Sequence, residues 1–420
     1  GYELNNEINI ADVINSNKKF KDNEFKNKLN LAILRNITVD PLVECLINDF
    51  AKEEIGLDTY MGDFDKILPE FLDSDSNLFK FNPDVIVIHL NLSLISPKLI
   101  YEFSSLNKKD IEKYKDDVLS YFNKILDSAE FFPSSIFILH KFEIPIYPTF
   151  GIIDSKMSSM QGETIASLNK DITQLFSKNN NFQFVDNNRI LSKLGEDKYY
   201  DYRYWSIGKA PYKINALSSF SKDYLRICRA KLGKNSKCLV LDCDNTLWKG
   251  IIGEDGISGI GLGSTYPGNN FVEFQKAIVD LGNRGVILAI ASKNNHEDVI
   301  DVLNNHPNMI LREDKFAVIK ANWNDKPTNI KEIASDLNIG LDSLVFIDDN
   351  KFETEMVKEF LPQVRTIHLP DDPSVYRNLI LSCGFFDSLT YSNEDKNRGK
   401  MYKAESKRKV LKSSIEDTVF

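Results

Sequence analysis

The chain has 420 residues, 42% hydrophobic and 27% charged, with a formal net charge of -9. That length suits two or three domains with real cores, while the acidic balance argues against a nucleic-acid binder and disfavours an anionic membrane surface. No run of about 18 apolar residues could span a bilayer, and the opening GYELNNEINIADVI lacks the basic start and apolar core of a signal peptide.

The five cysteines, Cys45, Cys228, Cys238, Cys243 and Cys383, are scattered and odd in number. This spacing suits neither a disulfide framework nor a zinc site, so reduced thiols and a cytoplasmic location are expected. The glycosylation-like strings at Asn36 and Asn91 are then chance matches.

Residues 1–28 are polar and read as a helical or loosely attached lead-in. Apolar runs at 29–36, 84–92, 135–142 and 181–187 then read as buried strands, with helices near 40–54, 98–128 and 158–178 between them. The runs are continuous rather than alternating, as in a parallel sheet covered on both faces. This rhythm predicts a doubly wound α/β domain over 29–232, ending at the polar joint KLGKNSK.

A second set of strands is predicted at 238–242, 285–292, 315–322, 343–349 and 364–369. Helices fit at about 270–284, 296–305, 327–338 and 351–361, giving a second α/β domain over 236–386. The Gly-rich stretch 253–270 reads as a rim loop, a small hairpin or a mere connection. Residues 387–420 are highly charged and read as a helix and tail.

Four features fall at the ends of strands in the second domain, where open α/β sheets bind ligands. They are Asp242-Cys243-Asp244-Asn245-Thr246, then Ser292, then Lys326, then the pair Asp348 and Asp349 with Glu353 one helical turn on. A carboxylate can attack phosphorus and form an aspartyl-phosphate, provided positive charge offsets the anionic phosphate. Mg²⁺ suits Asp242, Asp349 and the backbone carbonyl of Asp244. Lys326 would neutralise the nucleophile and the phosphate, and Ser292 would donate to a phosphoryl oxygen. Asp244 would protonate the leaving alkoxide and later activate water, which favours phosphatase chemistry over transfer from an anhydride.

The texts LDCDNTLWKGIIGEDGISGIGLG, AIASKNN, NWNDKPTNI and LVFIDDN resemble the FkbH-like branch of the haloacid dehalogenase (HAD) superfamily. The resemblance implies a HAD-like Rossmannoid domain without a large cap, since neither Thr246–Ser292 nor Ser292–Lys326 leaves room for one. It implies a glyceryl transferase/phosphatase that uses 1,3-bisphosphoglycerate and loads an acyl carrier protein for polyketide-type assembly. Asp242 would accept the phosphoryl group and Asp244 would be the acid/base. Thr246, Ser292, Asn294 and Lys326 would bind phosphate or substrate, and Asp242, Asp244 and Asp349 would hold magnesium. Asp348 is the alternative ligand, although the spacing to Glu353 favours Asp349.

Cys243 admits two readings. A thiolate beside Mg²⁺ and Lys326 could carry a glyceryl thioester. Strand alternation, however, points residue 243 away from the face used by 242 and 244, as a small buried filler; direct transfer to the carrier thiol then stays open. The first domain faintly resembles an SGNH-hydrolase-like domain. Asn36 and Thr38 stand where the serine is expected, and no Asp-x-x-His follows near 200–230, so hydrolysis is not expected. His89 and His140 end predicted strands, as cleft-lining or core histidines. Two rival readings stay open: a small-metabolite phosphatase without acyl transfer, and a non-catalytic docking protein.

Overall fold

The computed structural model describes residues 8–21 and 23–392, with Asn397, Arg398, Met401, Tyr402, Ala404 and Arg408 beyond. The chain divides into two compact units, the first ending at Cys228 and the second beginning at Arg229. That boundary falls inside the helix Ile214–Lys231, a few residues before the polar joint expected from the sequence.

The first unit holds five parallel strands: β1 (Asn27–Arg35), β2 (Ile55–Met61), β3 (Val85–His89), β4 (Ile136–His140) and β5 (Phe182–Val185), in the order β2-β1-β3-β4-β5. Every residue of β3 and β4 is buried, which explains why these central strands read as unbroken apolar runs. Strand β2 is not foreseen in the sequence. IGLDTYM is an edge strand paired on one side only, so most of its residues stay partly exposed and its apolar signal is weak. One face of the sheet, including Ile86, Ile88, Phe137 and Leu139, packs on Phe122 and Ile125 of the helix Lys108–Ser128 and on Ile165 and Leu168 of the helix Gln161–Phe176. The lead-in forms a helix, Ile10–Asn17, tied down where Asn17 Nδ2 donates to Glu44 Oε2 at 2.8 Å.

The second unit holds β6 (Cys238–Leu241), β7 (Ile287–Ser292), β8 (Val318–Ala321), β9 (Leu344–Asp348) and β10 (Arg365–His368), all parallel, in the order β10-β9-β6-β7-β8. Strand β6 is central, and the chain runs outward from it first through β7 and β8, then through β9 and β10. The carboxyl end of β6 beside β9 is therefore a topological switch point, where open sheets form a crevice.

Alternation along β6 sorts its side chains between two cores. Cys238 and Val240 pack with Ile330 of the helix Lys326–Leu337, while Leu239 and Leu241 pack with Phe271 and Phe274 of the helix Gly268–Asn283. Residues 253–270 contain no cap domain. Lys249 pairs with Gly261 in an isolated antiparallel bridge, and between them lies the short helix Ile252–Gly259, interrupted at Gly256.

The expected C-terminal helix and tail lie largely outside the described residues; the six described beyond 392 are helical. Among the described residues, no helix is long and apolar enough to cross a membrane.

Candidate active site

The site gathers on the carboxyl edge of the second sheet. Asp242 follows β6, and its backbone N–H donates to Ile347 O of β9 at 3.0 Å, which extends the sheet by one residue and fixes where the carboxylate stands. Beyond it the chain turns sharply. Asn245 sits in the left-handed region (φ 52°), and its Oδ1 accepts from Gly250 N at 3.0 Å, closing the loop.

Lys326 is the first residue of its helix, whose N-cap Asp325 accepts from Thr328 N. That start aims a buried ammonium, 2% exposed, back at the strand ends. Its Nζ donates to Asp242 Oδ1 at 2.5 Å and to Ala291 O at 2.7 Å, and it faces Asp348 Oδ2 at 3.2 Å. Burial alone would lower the lysine pKa; Asp242 and Asp348 outweigh it and hold the group protonated.

Asp242, Asp348 and Asp349 each offer a carboxylate oxygen, and the three atoms lie within 4.8 Å of one another. Crowding of anions in a buried place has its expected effect. Burial first, then Asp242, pushes Asp348 up to about 7 and Asp349 up to about 6. Glu353 Oε2 is buried without a hydrogen-bond partner among the described residues, and Asp348 Oδ2 is met only by the Lys326 ammonium. Hard oxygen donors left partly unsatisfied, one cation already among them, fit a further small cation such as Mg²⁺.

Asp244 is held apart from this trio. Its Oδ1 accepts from Trp248 Nε1 (3.0 Å) and Ile252 N (3.1 Å), and its Oδ2 accepts from Asn294 Nδ2 (3.0 Å). Burial nonetheless raises its pKa, as a proton donor requires. Its side chain is thus engaged by Trp248, Ile252 and Asn294 and is not one of the converging trio, leaving its backbone carbonyl as the group the sequence assigned to the ion. Asn294 Nδ2 also donates to Ser292 Oγ at 3.0 Å, tying the second strand end to the first. Thr246 is fully buried, its Oγ1 without a partner among the described residues.

Cys243 requires a correction. It is fully buried in the same core as Leu239 and Leu241, among Leu247, Trp248 and Phe274. Alternation persists through the strand end, so the thiol points into the core while Asp242 points at Lys326. Burial, then Asp242, pushes the thiol well above its ordinary value, the opposite of the lowering a nucleophile needs. The thioester role is not supported by this geometry.

Two contacts escape the sequence. Trp248 has a readable signal, since it follows Asp244 by four residues in DNTLW. The pair of Lys293 Nζ and Glu353 Oε1, 2.6 Å apart, joins the loop after β7 to the helix Lys351–Phe360 after β9 and has no local signature.

In the first unit, Asn36 takes the place after β1. Its Oδ1 accepts from Asn91 N at 2.8 Å, and Thr38 Oγ1 donates to Gly208 O, so both groups are engaged in loop closure. His89 and His140 are buried and stacked, with ring centroids 3.5 Å apart and planes 9° apart. Burial lowers both pKa values, His140 to about 3. They are neutral core groups bonded to Tyr212 and Tyr224.

The model of the FkbH N-terminal domain matches residues 30–229. The chain is similar to the N-terminal part of protein BF1531 from Bacteroides fragilis, which contains a phosphatase domain and was crystallised with Mg. Identity is 28%, the alignment covers 92% of this chain and 100% of that one, and the TM-score is 0.81. Axe2, an acetylxylan esterase from Geobacillus stearothermophilus, is 14% identical over 48% of this chain and 94% of its own, with a TM-score of 0.31, too low to bear on function. No curated protein matches the chain.

Proposed function

We propose, from the premise that this chain is FkbH-like, that its second unit dephosphorylates a phosphoglyceryl substrate and delivers the glyceryl group to an acyl carrier protein. The donor is 1,3-bisphosphoglycerate, and the product is a glyceryl thioester for polyketide-type assembly in the cytoplasm. The observation that carries the phosphatase half is the contact of Lys326 with both Asp242 and Asp348, beside three converging carboxylates.

Asp242 attacks the phosphorus of the phosphoglyceryl ester. The P–O bond to glycerate breaks, and Asp244 gives its proton to the departing oxygen. Asp244 then removes a proton from water, which attacks the aspartyl-phosphate, releases inorganic phosphate and restores Asp242. Lys326 offsets negative charge on nucleophile and phosphate throughout. Ser292, Asn294 and Thr246 supply polar groups for the phosphoryl oxygens. Mg²⁺, held by Asp242 with Asp348 or Asp349, would supply the remaining positive charge, and the Mg complex of the Bacteroides fragilis relative supports that choice of cation.

Because Cys243 is buried, acyl transfer runs directly. The carrier thiolate attacks the acyl phosphate carbon, and phosphate leaves. Incubating the full chain with carrier protein, 1,3-bisphosphoglycerate and Mg²⁺, then weighing the carrier protein by mass spectrometry, tests this reading. A glyceryl mass on the carrier supports it. Phosphate release with an unloaded carrier would favour a small-metabolite phosphatase instead.

A further inference from the structure

The first unit contains a cleft of about 240 Å³ at the carboxyl ends of β3 and β4, with Asn91 two residues beyond one strand and Glu143 three beyond the other. Parallel sheets take their ligands at this edge. Five rings, Tyr101, Tyr147, Tyr200, Tyr202 and Trp205, line the cleft. So do the carboxylates of Glu143 and Asp201, and among the described residues no basic side chain does.

The rings are held in place rather than loosely exposed. Glu196 accepts from the hydroxyls of both Tyr147 and Tyr202, and the rings of Tyr200 and Tyr202 stack at 5.7 Å. One face of Trp205 already receives a cation, with Lys209 Nζ 4.7 Å from the ring centroid. Tyr147 is 75% exposed, so its ring is open to a ligand entering the cleft from solvent.

Glu143 supplies the second, independent argument. Its Oε1 accepts from Tyr199, Tyr212 and Asn187 at 2.8, 2.6 and 2.9 Å. All three are neutral donors, and no ion pair among the described residues involves Glu143. This half-buried carboxylate lining an aromatic cleft is hydrogen-bonded by neutral donors only, so the cleft carries negative charge with no counter-cation among the described residues.

We infer that this cleft binds a small organic cation of the alkylammonium type. The aromatic rings lining the cleft can attract a cationic group, and Glu143 provides the opposite charge. A phosphorylated or carboxylate ligand would set its own charge against Glu143 and Asp201, so the site is distinct in chemistry from the phosphoryl-transfer site of the second unit.

Titration calorimetry on the full chain tests this with choline and its uncharged isostere 3,3-dimethylbutan-1-ol. Choline should saturate a single site and bind roughly tenfold or more tightly than the isostere. Tyr147→Ala, at an exposed position where folding is unthreatened, and Trp205→Leu should each weaken choline binding roughly tenfold. Glu143→Gln should abolish the preference for charge. Equal affinity for the two probes, no saturable choline binding, or unchanged affinity in the Tyr147 and Trp205 variants would overturn the inference.

Discussion

Lys326 Nζ lies 2.5 Å from Asp242 Oδ1, although 84 residues separate the two in sequence. The same ammonium faces Asp348 Oδ2, so one buried cation is shared between Asp242 and Asp348. This arrangement sets a fixed positive charge against the Asp242 carboxylate among crowded acidic neighbours, as the proposed attack on phosphorus needs.

Replacing Lys326 by Met should damage both chemistry and fold. Loss of a preorganised charge at the transferring phosphoryl group costs about 10²–10³ in kcat. Leaving two buried carboxylates without their cation costs about 3–5 kcal/mol. Lys326→Arg should rescue neither, since the planar guanidinium cannot reproduce the bonds to Asp242 and Ala291 in a space built for one ammonium. Phosphate release and thermal melting on the variants check both points.

Asp244→Asn removes the proton donor while keeping the bonding shape around Trp248 and Ile252. Turnover of an alkyl phosphate should fall by about 10²–10⁴. An aryl phosphate, whose leaving group needs no proton, should still phosphorylate the enzyme in a burst and then stall. Rapid-quench kinetics with both substrates measure the contrast.

The raised pKa values of Asp348 and Asp349, about 7 and about 6 without metal, set a pH dependence of stability. Ordinary aspartate in the unfolded chain ionises near 3.9. The folded state therefore holds the extra protons, and the associated stability is present below about pH 4 and lost as pH rises to about 7. Mg²⁺ binds the ionised form, so it should raise Tm more at pH 8 than at pH 5. Scanning calorimetry with EDTA or Mg²⁺ tests this, and Asp349→Asn should flatten the difference.

Much of the site follows from sequence because its elements stand at or soon after the ends of apolar runs. Asp242, Ser292 and Asp348 stand at the ends of β6, β7 and β9, and Lys326 opens the helix after β8. Position along a strand is a local property, so it survives in one dimension. Contacts that depend on how distant segments meet do not, and the Lys293–Glu353 pair shows this. Edge strand β2 was hidden for a related reason, since one-sided pairing leaves no strong apolar pattern. At Cys243 the two cues conflicted: proximity to the aspartates suggested chemistry, and alternation suggested core. Alternation governs, because the burial of Leu239, Leu241 and Cys243 on one face is a single packing event.

Cys243→Ala should therefore leave phosphate release and carrier loading intact. It should cost about 1 kcal/mol of stability through the small void left behind. Loss of loading with phosphatase activity retained would restore the thiol to the chemistry.

The most direct measurement is identification of the phosphorylated residue. The full chain is quenched during turnover with Mg²⁺, reduced with borohydride, which converts an aspartyl-phosphate to homoserine, and sequenced by peptide mass spectrometry. Homoserine at position 242 is the predicted result. Phosphate release with residue 242 unlabelled, or with the label on another residue, would contradict it.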